Sequence, residues 1–195
     1  MPYIKVIHPR DAKGRLAKIY ERVTGPGGQV DNVLQIHSLR PHTLEGHMAL
    51  YKSVLHHPGN RLPRWFQEAI GVRVSLLNDC DYCARHHGAA MQRLLQQEPG
   101  HYDLYRAQLE QKDPGKPFNA REQAALLYVD ALTRQPGSVG AEDVAALRGL
   151  GWKDGQILEI NQVAAYFAYA NRTVTGLGVD TEGEQLELST DVMED

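Results

Sequence analysis

Two cysteines, Cys80 and Cys83, form the single C-x-x-C of this chain of 195 residues and carry its most distinctive chemistry. A lone pair at this spacing suits redox chemistry or metal binding better than a disulfide framework. Residues four apart share one face of a helix, so His87 would lie one turn beyond Cys83, where it can take the thiol proton. The first turn of a helix also presents unpaired N–H groups and the positive end of the helix dipole, which stabilise a thiolate. The spacing therefore predicts a thiol that is nucleophilic near neutral pH.

Glu68 is a candidate partner for this thiol on the preceding predicted helix. It precedes Cys80 by twelve residues and follows the apolar Trp65 by three, which places its carboxyl group beside the apolar face of that helix. We expect the carboxyl group to be partly buried and desolvation to raise its pKa, so that it can donate or accept a proton. An antiparallel hairpin with its turn at residues 77–79 would bring Glu68 to the face that carries the thiol.

Each of these residues also has a simpler interpretation, which the sequence leaves open. A lone C-x-x-C can be half of a zinc site completed by His86 or His87, or a pair of ordinary buried cysteines; no second C-x-x-C supplies further zinc ligands. His86 by itself is explained as a core or surface histidine, and Glu68 as a surface carboxylate. Several aromatic side chains are assigned to the core or to an interface, with an aromatic-lined substrate pocket as the alternative: Trp65, Tyr166, Phe167 and Tyr169.

Apolar residues recur at steps of three and four along most of the chain, and no segment alternates with a period of two. The chain is therefore predicted to be all-α, with about seven or eight helices. Asn78 or Asp79 is expected to cap the helix that carries the cysteines, and Asp154 the last helix. Proline, glycine and capping residues give predicted helices over about 9–24, 31–40, 43–57, 63–77, 80–97, 121–135, 141–151 and 152–176.

We expect a single domain over residues 1–195. Its predicted parts are N-terminal helices 9–57, a motif-bearing helical hairpin 62–97, C-terminal helices 119–175 and an acidic tail 180–195. The linker 111–119, which contains proline and glycine, leaves open a division into two helical subdomains. The tail is weakly apolar, with Leu186 and Leu188 as its packing residues, so it is either mobile or docked on a neighbouring subunit.

Composition and charge exclude several classes of protein. The 21 Lys and Arg against 24 Asp and Glu give a formal net charge of −3, which disfavours binding to nucleic acid or to an anionic membrane. A hydrophobic content of 42% is typical of a globular protein and excludes a disordered or collagen-like chain. The sequence contains no secretory signal pattern and no apolar run long enough to span a membrane, so we expect a soluble cytoplasmic protein.

One spaced set of residues resembles a family signature, E-x11-C-x-x-C-x3-H, and comprises Glu68, the run Cys80–Cys83 and His87. This signature is that of the alkylhydroperoxidase D-like branch of the carboxymuconolactone decarboxylase superfamily. The surrounding SLLNDCDYCARHHGAAM resembles the helix-turn-helix core of that branch. Upstream and downstream segments, such as VDNVLQIHSLRPHTLEGHMALYKSVLH and YANRTVTGLGV, resemble its peroxidase-related members. The resemblance covers roughly Val30 to Val179.

The resemblance implies an all-helical fold that assembles into trimers or hexamers, with a thiol-dependent peroxidase or disulfide reductase activity that uses no haem, flavin or metal. It implies that Cys83 is the peroxidatic nucleophile, which becomes a sulfenic acid, and that Cys80 is the resolving cysteine, which closes the disulfide. Glu68 and His87 would form the proton relay that activates the thiols. The implied substrate is a hydroperoxide or a disulfide, and an external thiol reductant, which the sequence does not identify, would restore both cysteines.

Tyr82 departs from the family pattern. In the best-known alkylhydroperoxidase the residue before the second cysteine is a histidine that joins the relay, whereas this chain has a tyrosine. The relay therefore lacks one imidazole, which lowers the expected rate of peroxide turnover. Tyr82 can still donate a hydrogen bond, or His86 can take the place of the missing histidine.

Two other functions stay open on the sequence. The first is an enzyme like the carboxymuconolactone decarboxylases, acting on a small carboxylated metabolite, although that branch does not depend on a cysteine pair. The second is a non-catalytic oligomeric protein in which the two cysteines hold zinc or sense oxidation. The intact C-x-x-C counts against the decarboxylase interpretation, and the metal content of the purified protein would separate the second function from a redox enzyme.

Overall fold

The computed structural model describes residues 1–25, 27–95, 100–184 and 186. These residues form nine α-helices and no strand, which confirms the all-α prediction. Within these ranges no helix has the length and apolar character needed to cross a bilayer. The helices are α1 (Gly14–Val23), α2 (Asn32–Gln35), α3 (Pro41–Tyr51), α4 (Arg64–Leu77), α5 (Asp81–Leu94), α6 (His101–Leu109), α7 (Ala120–Arg134), α8 (Ala141–Gly149) and α9 (Asp154–Leu177).

Helix α4 lies at the centre of the fold. It packs against α5, α6, α7 and α9, and ten consecutive residues, Phe66 to Ser75, are buried. The sequence pattern predicts one apolar face for this helix, whereas the structure also buries its polar side chains, including Glu68 and Arg73. Glu68 and Arg73 each pair with a group on another element, as a buried charge requires, whereas the buried amide of Gln67 has no hydrogen-bond partner among the described residues.

Gly71 allows the close approach between α4 and α9. A Cβ atom added to this glycine would lie 2.3 Å from Cζ of Phe167, whose side chain is fully buried on α9. Real side chains do not approach so closely, so no larger residue fits here without displacing the ring. A glycine that weakens the helical pattern of α4 is therefore required by packing.

Arg73 fastens the linker at residues 111–119 to the central helix. Its guanidinium group donates hydrogen bonds to the carbonyls of Leu109 and Gln111, both at 2.6 Å, and to that of Lys112 at 3.1 Å. The same group forms an ion pair with Asp130 on α7. One buried cation thus neutralises a carboxylate and satisfies three carbonyls that would otherwise lack partners.

Two large groups of buried apolar side chains hold the helices together. The larger group joins α4, α5, α7 and α9, and the smaller group joins α1, α2 and α3. Tyr51, near the end of α3, packs against both groups. The principal members of the larger group are Phe66, Ile70, Met91, Leu126, Ile160 and Phe167, and those of the smaller are Leu16, Ile19, Tyr20, Leu34, Leu44 and Met48.

Several helix ends differ from their predicted positions. Pro41 begins α3 instead of ending the helix before it, because proline fits the first position of a helix, where no N–H is needed. The helix predicted over residues 31–40 is reduced to the four residues of α2. Lys153, not Asp154, occupies the N-cap position of α9, and Asp154 pairs with Arg148.

Helix α6 has no counterpart in the predicted helices. It has nine residues, of which only Leu109 is buried, so its apolar pattern is short and weak. Most of the predicted acidic tail at 180–195, including Leu188, lies outside the described residues, as does the predicted end of the cysteine helix at Gln97.

Candidate active site

A tight turn between α4 and α5 places the two cysteines. Asn78 ends α4, and Asp79 adopts the left-handed conformation with φ 52°, which a short polar side chain tolerates better than most. The N–H of Cys80 then donates to the carbonyl of Ser75 at 2.9 Å. Cys80 therefore occupies the N-cap of α5, and the prediction that Asn78 or Asp79 caps this helix is wrong by one or two residues.

Cys80 is the cysteine that the helix start favours as a thiolate. A hydrogen bond from the Cys83 thiol lowers the pKa of Cys80 to about 7, against the opposing effect of burial. The backbone N–H of Cys83 and the hydroxyl of Thr175 also lower the pKa of Cys80. The N-cap residue lies beside the unpaired N–H groups of the first turn, so it gains most of the stabilisation that the sequence analysis predicted for the motif.

Cys83 has the opposite tendency. Its hydrogen bond to Cys80, together with burial, raises the pKa of the Cys83 thiol well above its ordinary value. Both cysteines are free thiols and both are buried. In the reduced protein the first proton therefore leaves Cys80, and Cys83 holds its proton in the hydrogen bond between the two sulfurs.

Glu68 and His87 form a buried pair beside these thiols. Oε2 of Glu68 lies 2.7 Å from Nδ1 of His87, and Oε1 lies 3.6 Å from the guanidinium group of Arg64. The expectation that the pKa of Glu68 is raised is wrong. Burial acts in that direction, but the charge and hydrogen bond of His87, with the charge of Arg64, lower the pKa overall. The hairpin of α4 and α5 thus brings Glu68 to the cysteine helix, as its spacing predicted, in the form of a carboxylate.

Cys83 and His87 line an enclosed cavity of about 70 Å³. Most of its remaining wall comes from other helices and is apolar or aromatic. The residues of that wall include Val33, Leu34, Met48, Tyr51, Tyr166 and Ala170. The assignment of Tyr166 and Phe167 to the core is confirmed, and Tyr166 also lines this cavity, whose use by a substrate stays a prediction.

His47 is a second buried imidazole at this cavity, contributed by α3. Burial lowers the pKa of His47 to about 3, with a smaller effect from the neighbouring His37. Its Nε2 lies 3.3 Å from the hydroxyl of Tyr166, and its Nδ1 has no hydrogen-bond partner. The cavity thus has a neutral histidine in its wall, which sequence analysis missed because His47 belongs to no motif and lies 36 positions before Cys83.

Tyr82 and His86 share one buried carboxylate, that of Glu184. The hydroxyl of Tyr82 lies 3.0 Å from Oε1 of Glu184, and Nε2 of His86 lies 2.7 Å from Oε2. Glu184 follows α9, and its side chain is 5% exposed. The sequence analysis named Tyr82 and His86 but missed Glu184, because 98 residues separate it from His86 and no spacing rule connects them. The acidic composition of the predicted tail at 180–195 was the only sequence signal for Glu184.

Cys80, the first cysteine of the motif, faces a different space from Cys83. Cys80 lines an open hollow of about 450 Å³ together with Asp79, Arg85, Thr175 and Thr181. Tyr82 lies between the two spaces and contributes to both. The dithiol therefore has one sulfur beside the enclosed cavity and the other beside a hollow that is open to solvent.

Zinc binding by the motif receives no geometrical support. Among the described residues, no three His, Cys, Asp or Glu side chains are grouped so that they could hold a metal ion. His86 and His87, which could have completed a zinc site, are each paired with a glutamate instead.

Comparison with known proteins gives similar folds and no sequence match. No family model matches the chain, and no curated protein matches it by sequence. A solved structure of an alkylhydroperoxidase AhpD core, an uncharacterised peroxidase-related protein from Ralstonia eutropha, is similar with a TM-score of 0.70 and 24% identity, over 92% of this chain and 91% of that one. A peroxidase-related protein from a Silicibacter species gives 0.68 and 26%, over 84% and 80%.

An enzyme is also among the similar structures. The debrominase Bmp8, solved as a cysteine-to-alanine variant with 2,3,4-tribromopyrrole, has a TM-score of 0.69 at 17% identity, over 94% of this chain and 95% of that one. These likenesses confirm the predicted all-helical, alkylhydroperoxidase D-like fold. They also show that a protein of this fold can be a debrominase.

Proposed function

We propose, on the premise that this chain has the alkylhydroperoxidase D-like fold, that it is a thiol-dependent hydroperoxide reductase whose nucleophile is Cys83. The observation that carries the proposal is the position of Cys83 beside His87 at an enclosed cavity, with Glu68 bonded to the other side of the imidazole ring. A nucleophile, a base and a group that orients the base are the parts that covalent catalysis requires.

The reaction follows from these parts. His87 accepts the proton of the Cys83 thiol, and the thiolate attacks the O–O bond of a hydroperoxide, which breaks to give Cys83 sulfenic acid and an alcohol. The Cys80 thiolate then attacks the Cys83 sulfur to form the Cys80–Cys83 disulfide, and the displaced hydroxide takes a proton from solvent to leave as water. Two electrons pass from the dithiol to the peroxide, and an external dithiol or two monothiols must return them.

The unequal thiols suit these two steps. Cys80, with a pKa of about 7, is largely a thiolate near neutral pH and is ready to resolve the sulfenic acid. It is also the better leaving group when a reductant attacks the Cys83 sulfur, since a thiol of lower pKa leaves faster. Cys83 needs a base because its own pKa is raised, and His87 stands at the same cavity to supply one.

The cavity favours a small organic hydroperoxide. A volume of about 70 Å³ is the room of roughly five water molecules. Its apolar and aromatic wall matches a short alkyl or aryl group, and neutral His47 offers one polar contact. We therefore expect tert-butyl hydroperoxide to react faster than a long-chain lipid hydroperoxide.

Reductive dehalogenation is the second candidate, favoured by the aromatic side chains of Tyr51 and Tyr166 opposite the thiol and by the similar fold of the debrominase Bmp8. In that reaction the Cys83 thiolate would take the halogen from a halogenated ring, the ring carbon would gain a proton, and Cys80 would displace the halide to form the disulfide. Release of bromide from 2,3,4-tribromopyrrole by the reduced protein would support it.

The deciding experiment is a thiol titration of the fully reduced protein before and after one equivalent of tert-butyl hydroperoxide, with intact mass spectrometry. The wild-type protein should lose two thiols and two mass units. Cys80→Ser should stop at the sulfenic acid, which adds one oxygen, and Cys83→Ser should not react. Glu68→Gln and His87→Ala should react more slowly than wild type, because each weakens the base. Reaction of Cys83→Ser at the wild-type rate would contradict the assigned roles.

A further inference from the structure

The carboxylate of Glu184 is buried against the cysteine helix although it lies outside the catalytic motif. It accepts hydrogen bonds from the hydroxyl of Tyr82 at 3.0 Å, from Nε2 of His86 at 2.7 Å and from the backbone N–H of Asn32. Three donors on two elements thus converge on one carboxylate. Burial of a carboxylate that is only 5% exposed costs free energy unless hydrogen-bond donors pair with it, and these three donors pair with Glu184.

Residues Asp180–Glu184, which we call the strap, are fastened so that Glu184 reaches this position. The side-chain amide of Asn32 donates to the carbonyls of Asp180 at 3.0 Å and Glu182 at 3.2 Å. On the other side, Arg85 of α5 donates to the hydroxyl of Thr181 at 3.0 Å. The strap therefore bridges α2 and α5, and its last residue points its carboxylate between them.

The orientation of Tyr82 and His86 follows from this contact. Their rings are in contact, with centroids 4.3 Å apart and the ring planes tilted by 32°. The backbone N–H of Val33 donates to the Tyr82 hydroxyl at 3.2 Å, so the hydroxyl proton is directed to Glu184. Both rings line the cavity that Cys83 lines, and Glu184 holds them from the side away from it.

Asp31 is a second carboxyl group beside His86. Burial raises the pKa of Asp31 to about 6; the charge of His86 opposes this shift and that of Glu184 adds to it. Asp31 and His86 both line the cavity. Asp31, His86 and Glu184 therefore form one cluster of proton-carrying side chains, of which Asp31 and His86 reach the cavity.

We propose that Glu184 is a positioning residue of the active site, and that the His86 it holds is the acid that protonates the leaving alkoxide. This inference rests on the proposed function. As the Cys83 thiolate attacks the terminal oxygen of R–O–O–H, the O–O bond breaks, the sulfur keeps the OH group, and RO⁻ takes a proton from His86 to leave as ROH. His87 releases to solvent the proton that it took from the Cys83 thiol, and His86 regains one proton from solvent, so the number of protons is conserved.

The test uses two reactions of Cys83, both followed in a Cys80→Ser background so that Cys83 is the one cysteine that can react. Oxidation by tert-butyl hydroperoxide expels an alkoxide, which needs a proton, whereas alkylation by iodoacetamide expels iodide, which does not. Loss of the acid should therefore slow the first reaction and leave the second unchanged. A merely structural loosening of the strap would expose Cys83 and change both rates, so the ratio of the two rates reports the proposed role.

The variants are Glu184→Gln and Glu184→Ala in the full chain, with Glu182→Gln as the matched control, since Glu182 is exposed on the same strap and contacts Asn32 only through its carbonyl. We expect Glu184→Gln to slow single-turnover oxidation about tenfold at an unchanged alkylation rate, which is less than the roughly 10²–10⁴-fold of a general acid itself because His86 is retained. Added acetate should restore part of the oxidation rate in Glu184→Ala. The control should match wild type in both reactions.

Three results would overturn the inference. Oxidation of Glu184→Gln at the wild-type rate would remove Glu184 from the site, while leaving the proposed function intact. Equal changes in oxidation and alkylation, without rescue by acetate, would reduce its role to structure. A wild-type protein that the peroxide does not oxidise would reject the proposed function itself and this inference with it.

Discussion

Cys80 and Cys83 differ in acidity because of one position on a helix. Cys80 is the N-cap of α5, beside the unpaired N–H groups of the first turn, and Cys83 lies within that turn, where its thiol donates a hydrogen bond to the Cys80 sulfur. The sequence predicted a thiolate at the start of this helix. It could not predict which cysteine carries the charge, since that depends on where the helix begins to within one residue.

This difference predicts the effect of removing the donor. In Cys83→Ala the Cys80 sulfur loses its largest stabilising hydrogen bond, so the pKa of Cys80 should rise from about 7 towards its ordinary value. The pH dependence of iodoacetamide alkylation of Cys80, followed by mass spectrometry, measures the shift. Cys83→Ser, which keeps a donor, is the matched control and should shift less. An unchanged profile in Cys83→Ala would show that the hydrogen bond between the sulfurs is unimportant.

The ion pair of Glu68 predicts a dependence of stability on pH. The pKa of Glu68 is lower in the folded protein than its ordinary value of 4.5, so its contribution to the free energy of unfolding is fully present above 4.5. That contribution is lost as pH falls through the folded value. Urea denaturation at pH 6 and pH 3 should therefore show a smaller loss for Glu68→Gln than for wild type. The exposed Glu21→Gln should behave as wild type; an equal loss in all three proteins would contradict the assignment.

Residue spacing was most informative where the partners lie on one helix or one hairpin. The spacing of Glu68, Cys83 and His87 predicts their common face because the helical repeat fixes it. Glu184 and His47 could not be found in this way, because they reach the site through tertiary packing from other helices and from the strap. Sequence patterns describe the repeat within one helix, so they do not reveal contacts between residues that are far apart in the chain.

At the scale of elements, the long helices were the predictable ones. Helices α4, α5, α7 and α9 have 14 or more residues each, and their apolar repeats extend over several turns. The short helices α2 and α6 were misjudged, since four or nine residues contain too few apolar positions to define a period. The pattern also could not show that α4 is buried on all sides, because polar residues interrupt it.

The contact of α4 with α9 gives a prediction at this scale. Gly71→Ala places a methyl group against the Phe167 ring, so the free energy of unfolding should fall by about 1–3 kcal/mol, the usual cost of overpacking. Gly46→Ala on α3 is the matched control, because nothing lies within 4 Å of the added atom. Alanine is the better helix former, so the control should be stabilised by about 1 kcal/mol or less. Chemical denaturation measures both values; equal stability of the two variants would contradict the packing argument.

Several large apolar side chains are exposed in the part of the chain that the structure describes. Leu104, Leu127 and Leu158 are 58%, 46% and 56% exposed. With the resemblance to a family of trimers and hexamers, these side chains lead us to expect a homo-oligomer. Light scattering should give three or six times the chain mass of 21.8 kDa. A mass equal to that of one chain across the accessible concentration range would reject this expectation.

The burial of α4 on every side has a consequence for how relatives of this protein diverge. A surface helix can change half of its residues without loss of packing, but the run Phe66–Ser75 has no such freedom, since each side chain meets another element. Substitutions should therefore accumulate more slowly along α4 and its turn into α5 than elsewhere. A distant homologue should remain recognisable by this one helix and the adjoining cysteines after the rest of its sequence has drifted beyond detection.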